Sequence, residues 1–387
     1  MMNEEFNNNK RNNNHGGGTA AGFVARYVAP CWPVGHVLGL KGISGYGSSS
    51  TASEVLIDQY PLWAAGGGGD EDAAMTTPPS SSAGLAVVTG ANSGLGREVA
   101  RVLASEPANM HVVMACRSTE KANAVADEMR ADDPNAKLYV MQLDLDNLES
   151  VRGFARKLKA RTDTGEMPPL RLLVLNAGIM PPKEIQMKEM ENGEQIEQAL
   201  AVNFAGHHLL AEMLEEQLKT GARVHGDARV VVVSSAVHRL HGVKNCNVAE
   251  FGASCSPLHA YARSKLAGIL HVRQLASRWR SSHPNLRAVA VHPGGVDSQG
   301  SRDSATGSGA TGVVLRALGA PFVKSVAQGA ASIVWACTSP LATSGSYVAN
   351  CNVAMPAATA LDANLALALE ERARSWTTST NALPVDL

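Results

Sequence analysis

Tyr261 and Lys265, in the stretch Tyr261-Ala-Arg-Ser-Lys265, set a phenol and an ammonium four residues apart in a helix-forming context. On a helix, positions i and i+4 share one face. A neighbouring ammonium favours the phenolate, so Lys265 is expected to draw Tyr261 down from the ordinary tyrosine pKa of about 10 toward working pH. A phenol tuned in that way can pass a proton to or from a substrate oxygen. The same spacing also arises wherever a half-buried tyrosine sits beside a solvated lysine. The pair therefore acquires meaning only from the elements around it.

Beyond residue 83 short apolar runs alternate with helical patterns. Residues 85–89, 111–115, 137–143, 171–175, 228–233 and 286–292 read as strands. Helices are expected over 96–105, 119–130, 147–160, about 193–219, and around Tyr261. The runs at 171–175 and 228–233 are almost continuously apolar, the pattern of strands buried on both faces. Such alternation implies βαβ units with right-handed crossovers. The expected fold is α/β: a Rossmann-like, doubly wound parallel sheet in three layers, forming one domain over residues 83–375. That length suffices for a substantial core.

Thr89-Gly90-Ala-Asn92-Ser93-Gly94-Leu95-Gly96 occupies the first strand-to-helix turn. Its G-x-x-x-G-x-G spacing is one residue longer than the G-x-G-x-x-G dinucleotide fingerprint. The physics is shared: glycines permit a tight turn and let a pyrophosphate reach backbone N–H groups at a helix N-terminus. Gly90, Asn92, Ser93, Gly94, Leu95 and Gly96 are thus candidate cofactor contacts. About 20 residues further on, such sites discriminate between cofactors, an acid binding the ribose 2′-hydroxyl and an arginine accommodating a 2′-phosphate. The second strand ends in Ala115-Cys116-Arg117-Ser118 with no carboxylate, which favours NADP over NAD, with Arg117 facing the phosphate. Asp144 and Leu145 follow the third strand, where they could meet an adenine edge and face; a helix N-cap is the competing role for Asp144. Asn176, Ala177 and Gly178 close the fourth strand at the C-terminal sheet edge, where ligands bind, though Asn and Gly also serve plain turns.

Ser234-Ser235 ends the fifth strand, Ser235 lying 26 residues before Tyr261. A serine there can hydrogen-bond a carbonyl oxygen next to the phenol, or simply shape a turn. Asn203, within Ala201-Val-Asn-Phe-Ala205, falls in a long apolar helix where asparagine has no propensity advantage. A buried amide needs partners. A relay through water to Lys265 and the satisfaction of a helix irregularity are both open.

Thr89-Gly90-x-x-x-Gly94-x-Gly96, Asn176-Ala-Gly178, Asn203, Ser235, Tyr261-x-x-x-Lys265 and Pro293-Gly294 together resemble the short-chain dehydrogenase/reductase family, in order and nearly in spacing, from about Leu85 to Val348. Ala115-Cys-Arg117, residues 173–180, Asn203-Phe-Ala-Gly-His207, residues 233–238 and His292-Pro-Gly294 resemble its retinol dehydrogenase and chloroplast translocon-associated reductase branch. The resemblance implies Tyr261 as acid/base, and Lys265 as the group that lowers its pKa and holds the nicotinamide ribose. It implies Ser235, rather than Ser234, as the hydroxyl that polarises the substrate, and Asn203 as a fourth member acting through water. Pro293, Gly294, Val296 and Ser298 are implied cofactor contacts, Ser298 standing where the family usually has Thr. The implied activity is NADP(H)-dependent interconversion of a carbonyl and an alcohol on a small, lipophilic substrate, such as a retinoid, steroid or lipid aldehyde. The alternative is an NADP-binding regulatory or scaffold protein with vestigial reductase activity. An apolar stretch at 312–323 agrees with a lipophilic substrate, whereas the Gly/Ser/Thr-rich stretch 299–312 departs from the branch. A homodimer is compatible with the family pattern.

Composition excludes other classes. The 387 residues are 45% hydrophobic and 18% charged with a net charge of -1, so no basic field for nucleic acid exists. Six cysteines form no C-x-x-C pair and no zinc-finger spacing; no metal and no disulfide framework is expected. A reducing compartment fits, the cytoplasm first, with an organelle or membrane-associated placement as the alternative. Residues 1–82 are rich in Asn, Gly, Ser and Pro runs and carry four basic against seven acidic groups. They are expected to be a disordered extension, too poor in burial to offset ordering entropy. Its apolar stretch at 22–40 is interrupted by Arg26, Pro30, Pro33 and His36, short of the roughly 20 apolar residues a membrane span needs. Glu4 and Glu5 disagree with a targeting segment. Residues 376–387 read as a tail.

Overall fold

The computed structural model describes residues 41–64, 84–244, 246–296 and 323–378. Strand alternation sets its architecture. In β1 (Leu85–Thr89), Leu85 and Val87 face one core while Ala86 and Val88 face another, all fully buried. Side chains of a strand point alternately to opposite faces, so an unbroken apolar run requires cover on both. The same holds for β2 (His111–Cys116), β4 (Leu170–Leu175), β5 (Ala228–Val233) and β6 (Leu286–His292), while the edge strand β3 (Leu138–Gln142) is only partly enclosed. Two short strands, β7 (Tyr347–Ala349) and β8 (Asn352–Ala354), complete the sheet.

The strand order is β8-β7-β6-β5-β4-β1-β2-β3, parallel throughout except for the antiparallel β7–β8 pair. The chain runs outward from β1 through β2 to β3 and then returns to β4 on the other side. That reversal opens a crevice at the C-terminal ends of β1 and β4, where open α/β sheets bind ligands.

One face is covered by α1 (Ala52–Ala64), α2 (Gly94–Ala104), α3 (Thr119–Asp132) and α8 (Val326–Thr338). The other carries α4 (Leu148–Asp163), α5 (Gly206–Met213), α6 (Glu215–His225), α7 (Pro257–Trp279) and α9 (Ala363–Thr377). Local signals start these helices where they are needed. Ser256 accepts from the His259 N–H ahead of Pro257 at the start of α7, and Ser325 and Gln328 close a reciprocal capping box on α8.

Three expectations change. Within the supposed disordered extension, residues 41–64 fold onto the domain, and α1 packs against α8 and α2 with Val55, Leu56 and Trp63 fully buried. The Trp63 ring lies 3.7 Å from the Arg171 guanidinium, which also donates to the Trp63 carbonyl at 2.9 Å. Enough apolar surface is hidden in this short helix to offset its ordering. The boundary at 375 cuts through α9, whose Trp376 is fully buried. The helical stretch read from about 193 begins instead as a strand, Gln195–Glu197, hairpin-paired with Met187–Glu189. Residues 1–40, 65–83, 297–322 and 379–387, which include the stretches 22–40 and 299–312, lie outside the described residues.

Candidate functional site

The ends of β1, β2, β4, β5 and β6 and the helix α7 frame the candidate site. At the first, Gly90 and Gly94 adopt positive φ (66° and 53°), the left-handed region that disfavours side chains. Gly96 must be glycine for a steric reason: a Cβ there would lie 2.4 Å from the Gly90 carbonyl oxygen and 2.5 Å from Asn176 Nδ2. Ser93 caps α2 with extended backbone, yet its hydroxyl makes no capping hydrogen bond. The N–H groups of the first α2 turn thus open into the crevice beside an uncommitted hydroxyl. At the end of β2, burial pushes the Cys116 thiol up to about 11, opposed by hydrogen bonds from Ala91 and Asn92. Arg117 follows it, exposed.

The glycine loop is locked to the end of β4 through Thr89. Its hydroxyl accepts the Asn176 and Ala177 N–H groups, both at 2.9 Å, and the Asn176 side chain donates to the Thr89 carbonyl at 2.9 Å. The Thr89 hydroxyl also meets His207 Nε2 at 3.0 Å, while His207 Nδ1 meets the Asn203 carbonyl at 3.1 Å. Since a carbonyl only accepts, Nδ1 carries the proton and Nε2 accepts from Thr89. Burial holds His207 at about 3, so the imidazole is neutral and this chain of bonds has one polarity.

Asn203 lies in a π-helical turn, Ala201–Ala205, so the helix irregularity is real. Its Oδ1 accepts the Ile179 N–H at 2.7 Å, and its Nδ2 donates to the Ile179 carbonyl and to Ser264 Oγ, both at 3.0 Å. The amide therefore clamps the Asn176–Gly178 turn to α7. A Cβ at Gly178 would stand 3.1 Å from Asn203 Oδ1 and 3.4 Å from Lys265 Nζ, so glycine leaves space beside the lysine.

On α7, Lys265 is buried and donates from Nζ to the Val233 carbonyl at 3.0 Å. Ser234 Oγ donates to the Lys265 carbonyl at 2.8 Å, which commits the first serine of the pair to structure. Ser235 is half-buried, and its Oγ accepts only a local N–H, from Val237 at 3.3 Å. The Tyr261 ring centroid is 5.5 Å from Lys265 Nζ. Here the geometry corrects the opening expectation. The ammonium addresses the ring face and the β5 carbonyl, and burial pushes the phenol up, to about 12, while lowering Lys265 to about 8. Sharing a helix face does not by itself aim the charge at the phenolic oxygen.

The remaining candidates divide. Asp144 accepts the Asp146 N–H at 3.1 Å, and Asn147 takes the N-cap of α4, so Asp144 has no capping role there. Leu145 is buried, its carbonyl close against Gly206 of α5. Pro293, Gly294 and Val296 follow β6, with Gly295–Val296 bridged to Val323–Lys324. Ser298 lies outside the described residues. Sequence reading assigned no role to four buried or half-buried groups at this edge: His207, His238, His292 and Lys324. Lys324 donates to Asn350 at 2.6 Å, and its stem packs on Gly294. Polar residues embedded in apolar stretches beside a motif were the available signal.

The donor set, the glycine turn and the space beside Lys265 fit a nicotinamide dinucleotide: backbone N–H groups for a pyrophosphate, Lys265 for a ribose. A family model described as short chain dehydrogenase matches residues 84–308. Short-chain dehydrogenase TIC 32 A, chloroplastic, from Brassica napus is 33% identical over 339 residues, covering 86% of this chain and 94% of that protein. Retinol dehydrogenase 12 from Homo sapiens is 36% identical over 246 residues, covering 64% and 70%. Among solved structures, an uncharacterized protein from Mycobacterium Paratuberculosis aligns with a TM-score of 0.57 at 28% identity, covering 79% of this chain and 97% of that one. The 3-ketoacyl-(acyl-carrier-protein) reductase from Brucella melitensis, at 20% identity and a TM-score of 0.51 over 69% and 96%, shares the fold. On this sequence match, supported by the sheet order and the site, the chain belongs to the short-chain dehydrogenase/reductase family and is an oxidoreductase.

Proposed function

We propose that this oxidoreductase uses NADPH to reduce the carbonyl of a small lipophilic aldehyde or ketone, and runs the reverse oxidation of the alcohol. The observation that carries the reading is the junction of α7 with the end of β5. There the Tyr261 and Lys265 face is tied by Lys265 Nζ and Ser234 Oγ to the end of β5, just before Ser235. When bound, NADPH supplies the hydride. As the carbonyl carbon accepts it, negative charge develops on the oxygen. Ser235 Oγ hydrogen-bonds that oxygen and Tyr261 gives it the phenolic proton, so the product is a neutral alcohol. At about 12 the phenol holds its proton throughout the neutral range, as an acid donor must. The Lys265 ammonium, 5.5 Å from the ring centroid, then offsets part of the negative charge spread over the phenolate ring. A lipophilic substrate agrees with the exposed Met180 beside the Gly178 turn and with the names of the retinol dehydrogenase relatives.

Tyr261→Phe is expected to abolish NADPH-dependent turnover across a panel of all-trans-retinal, nonanal and a 3-ketosteroid while leaving NADPH affinity, read by fluorescence titration, within about twofold. Turnover at the unmutated rate would sink the mechanism. If the unmutated protein binds NADPH and turns over none of the panel, the second reading, an NADP-binding protein with vestigial chemistry, gains the ground.

A further inference from the structure

Ser235 sits on a half-buried turn, and its own side chain does little to hold it there. Its backbone is held instead by the 3-10 turn bond from the His238 N–H to the Ser235 carbonyl at 3.1 Å and by two imidazoles. His238, fully buried on the 3-10 turn Ala236–Leu240, meets the Ser235 carbonyl through Nδ1 at 2.6 Å. The Nε2 of the same ring accepts the Ala357 N–H at 2.9 Å. An amide N–H only donates and a carbonyl only accepts, so this ring is locked as the neutral tautomer with its proton on Nδ1. From the other side, His292 Nδ1 accepts the Ala236 N–H at 3.2 Å and the Gly294 N–H at 3.4 Å. The peptide unit joining Ser235 to Ala236 is therefore gripped at its carbonyl and at its N–H. The Ala357 end of this bridge belongs to the segment beyond the edge strand β8, and Arg239 fastens the same segment by donating to the Met355 carbonyl.

We propose that His238 is a positioning residue that fixes Ser235 against the substrate oxygen and couples its placement to the segment Met355–Ala357. The inference rests on the role given to Ser235 above. A hydroxyl that must meet a developing oxyanion tolerates little displacement, and misplacement by about 1 Å costs up to roughly a hundredfold in rate. His238 touches neither substrate nor cofactor in this scheme; it acts through the serine.

The test is a double-mutant cycle on the full chain, following NADPH-dependent reduction of the aldehyde with the fastest turnover in the panel. His238→Gln keeps an acceptor at the Nε2 position and loses the donor to Ser235; His238→Asn keeps the donor and loses the reach to Ala357. Expected are a kcat loss of about ten- to a hundredfold for Gln, a smaller loss for Asn, and unchanged NADPH Kd in both. With Ser235→Ala already present, the same His238→Gln change should cost about twofold or less, because residues acting as a unit are not additive. Equal losses with and without Ser235, or Asn no better than Gln, overturn the proposal. Ala357→Pro provides an arm that leaves the His238 side chain in the sequence: the φ of -60° at Ala357 accepts proline, and the change replaces the N–H that reaches Nε2 with a ring methylene. It should lower kcat severalfold; an unchanged kcat overturns the coupling to Met355–Ala357. Ser235→Ala alone reports on the underlying reading: full activity in that variant would remove Ser235 from the mechanism, whatever His238 does.

Discussion

At the scale of single residues, the site depends on where buried charge is tolerated. Lys265 is enclosed, and burial lowers its pKa to about 8, below the value of about 10.4 that an unfolded lysine keeps. Between those two values the unfolded chain holds the proton and the folded chain does not, so this group's contribution to stability improves as pH rises through that window. Below about pH 8 the folded protein carries the full penalty of a buried ammonium. Lys265→Met should therefore raise the melting temperature relative to the parent more at pH 7 than at pH 10, with a difference on the order of 2 kcal/mol. Matched thermal melts of both proteins at the two pH values check it, and an equal offset at both would show that burial does not shift the lysine. Arg117 presents the opposite case, an exposed guanidinium at the end of β2. If it faces the 2′-phosphate, Arg117→Ala should weaken NADPH by about ten- to a hundredfold and leave NADH nearly untouched. Titrations showing equal losses for both cofactors would refute the role.

At the scale of elements, α1 carries a large share of its burial in one side chain. Trp63 is fully buried and stacked on Arg171, whose guanidinium burial brings down to about 10. Trp63→Ala should cost about 3–5 kcal/mol, measured by urea unfolding, because it leaves a cavity and deprives a buried guanidinium of its aromatic cover. A loss under about 1 kcal/mol would mean that α1 is not part of the cooperative fold. On the opposite face, Glu370 of α9 lies 3.2 Å from His208 of α5 and 3.3 Å from His271 of α7, and Arg278 and Arg374 approach the same carboxylate. Burial raises Glu370, but the hydrogen bonds from both histidines outweigh it and hold the carboxylate well below its ordinary range. With two guanidiniums already on the carboxylate, the group is a polar rivet joining three helices.

For the molecule as a whole, legibility followed the physical range of each signal. The six long strands and the glycine turn were readable because apolar runs, alternation and glycine act over a few residues. The strands β7 and β8 were not: each is three residues long, and the turn between them uses Asn350 and Cys351 at φ 51° and 60°, where glycine would normally mark a turn. The helix α1 was hidden because its partner lies in a different part of the sequence and its neighbours are low in complexity. Tyr261 and Lys265 were correctly put on one helix face, but only the fold decides where an ammonium points. The four groups given no role from sequence share that reason, since His238 means nothing until Ala357 is beside it.

The strap formed by residues 41–64 also sets an order in time. Its side-chain bond from Gln328 to the Ser49 carbonyl spans 279 positions, and α8, against which α1 packs, is made long after it. A nascent chain thus emerges with Val55, Leu56 and Trp63 ready and nothing to receive them. Contacts of such long sequence separation close late. This helix leaves the ribosome well before its partner α8, and in the interval its apolar face is what a chaperone would meet.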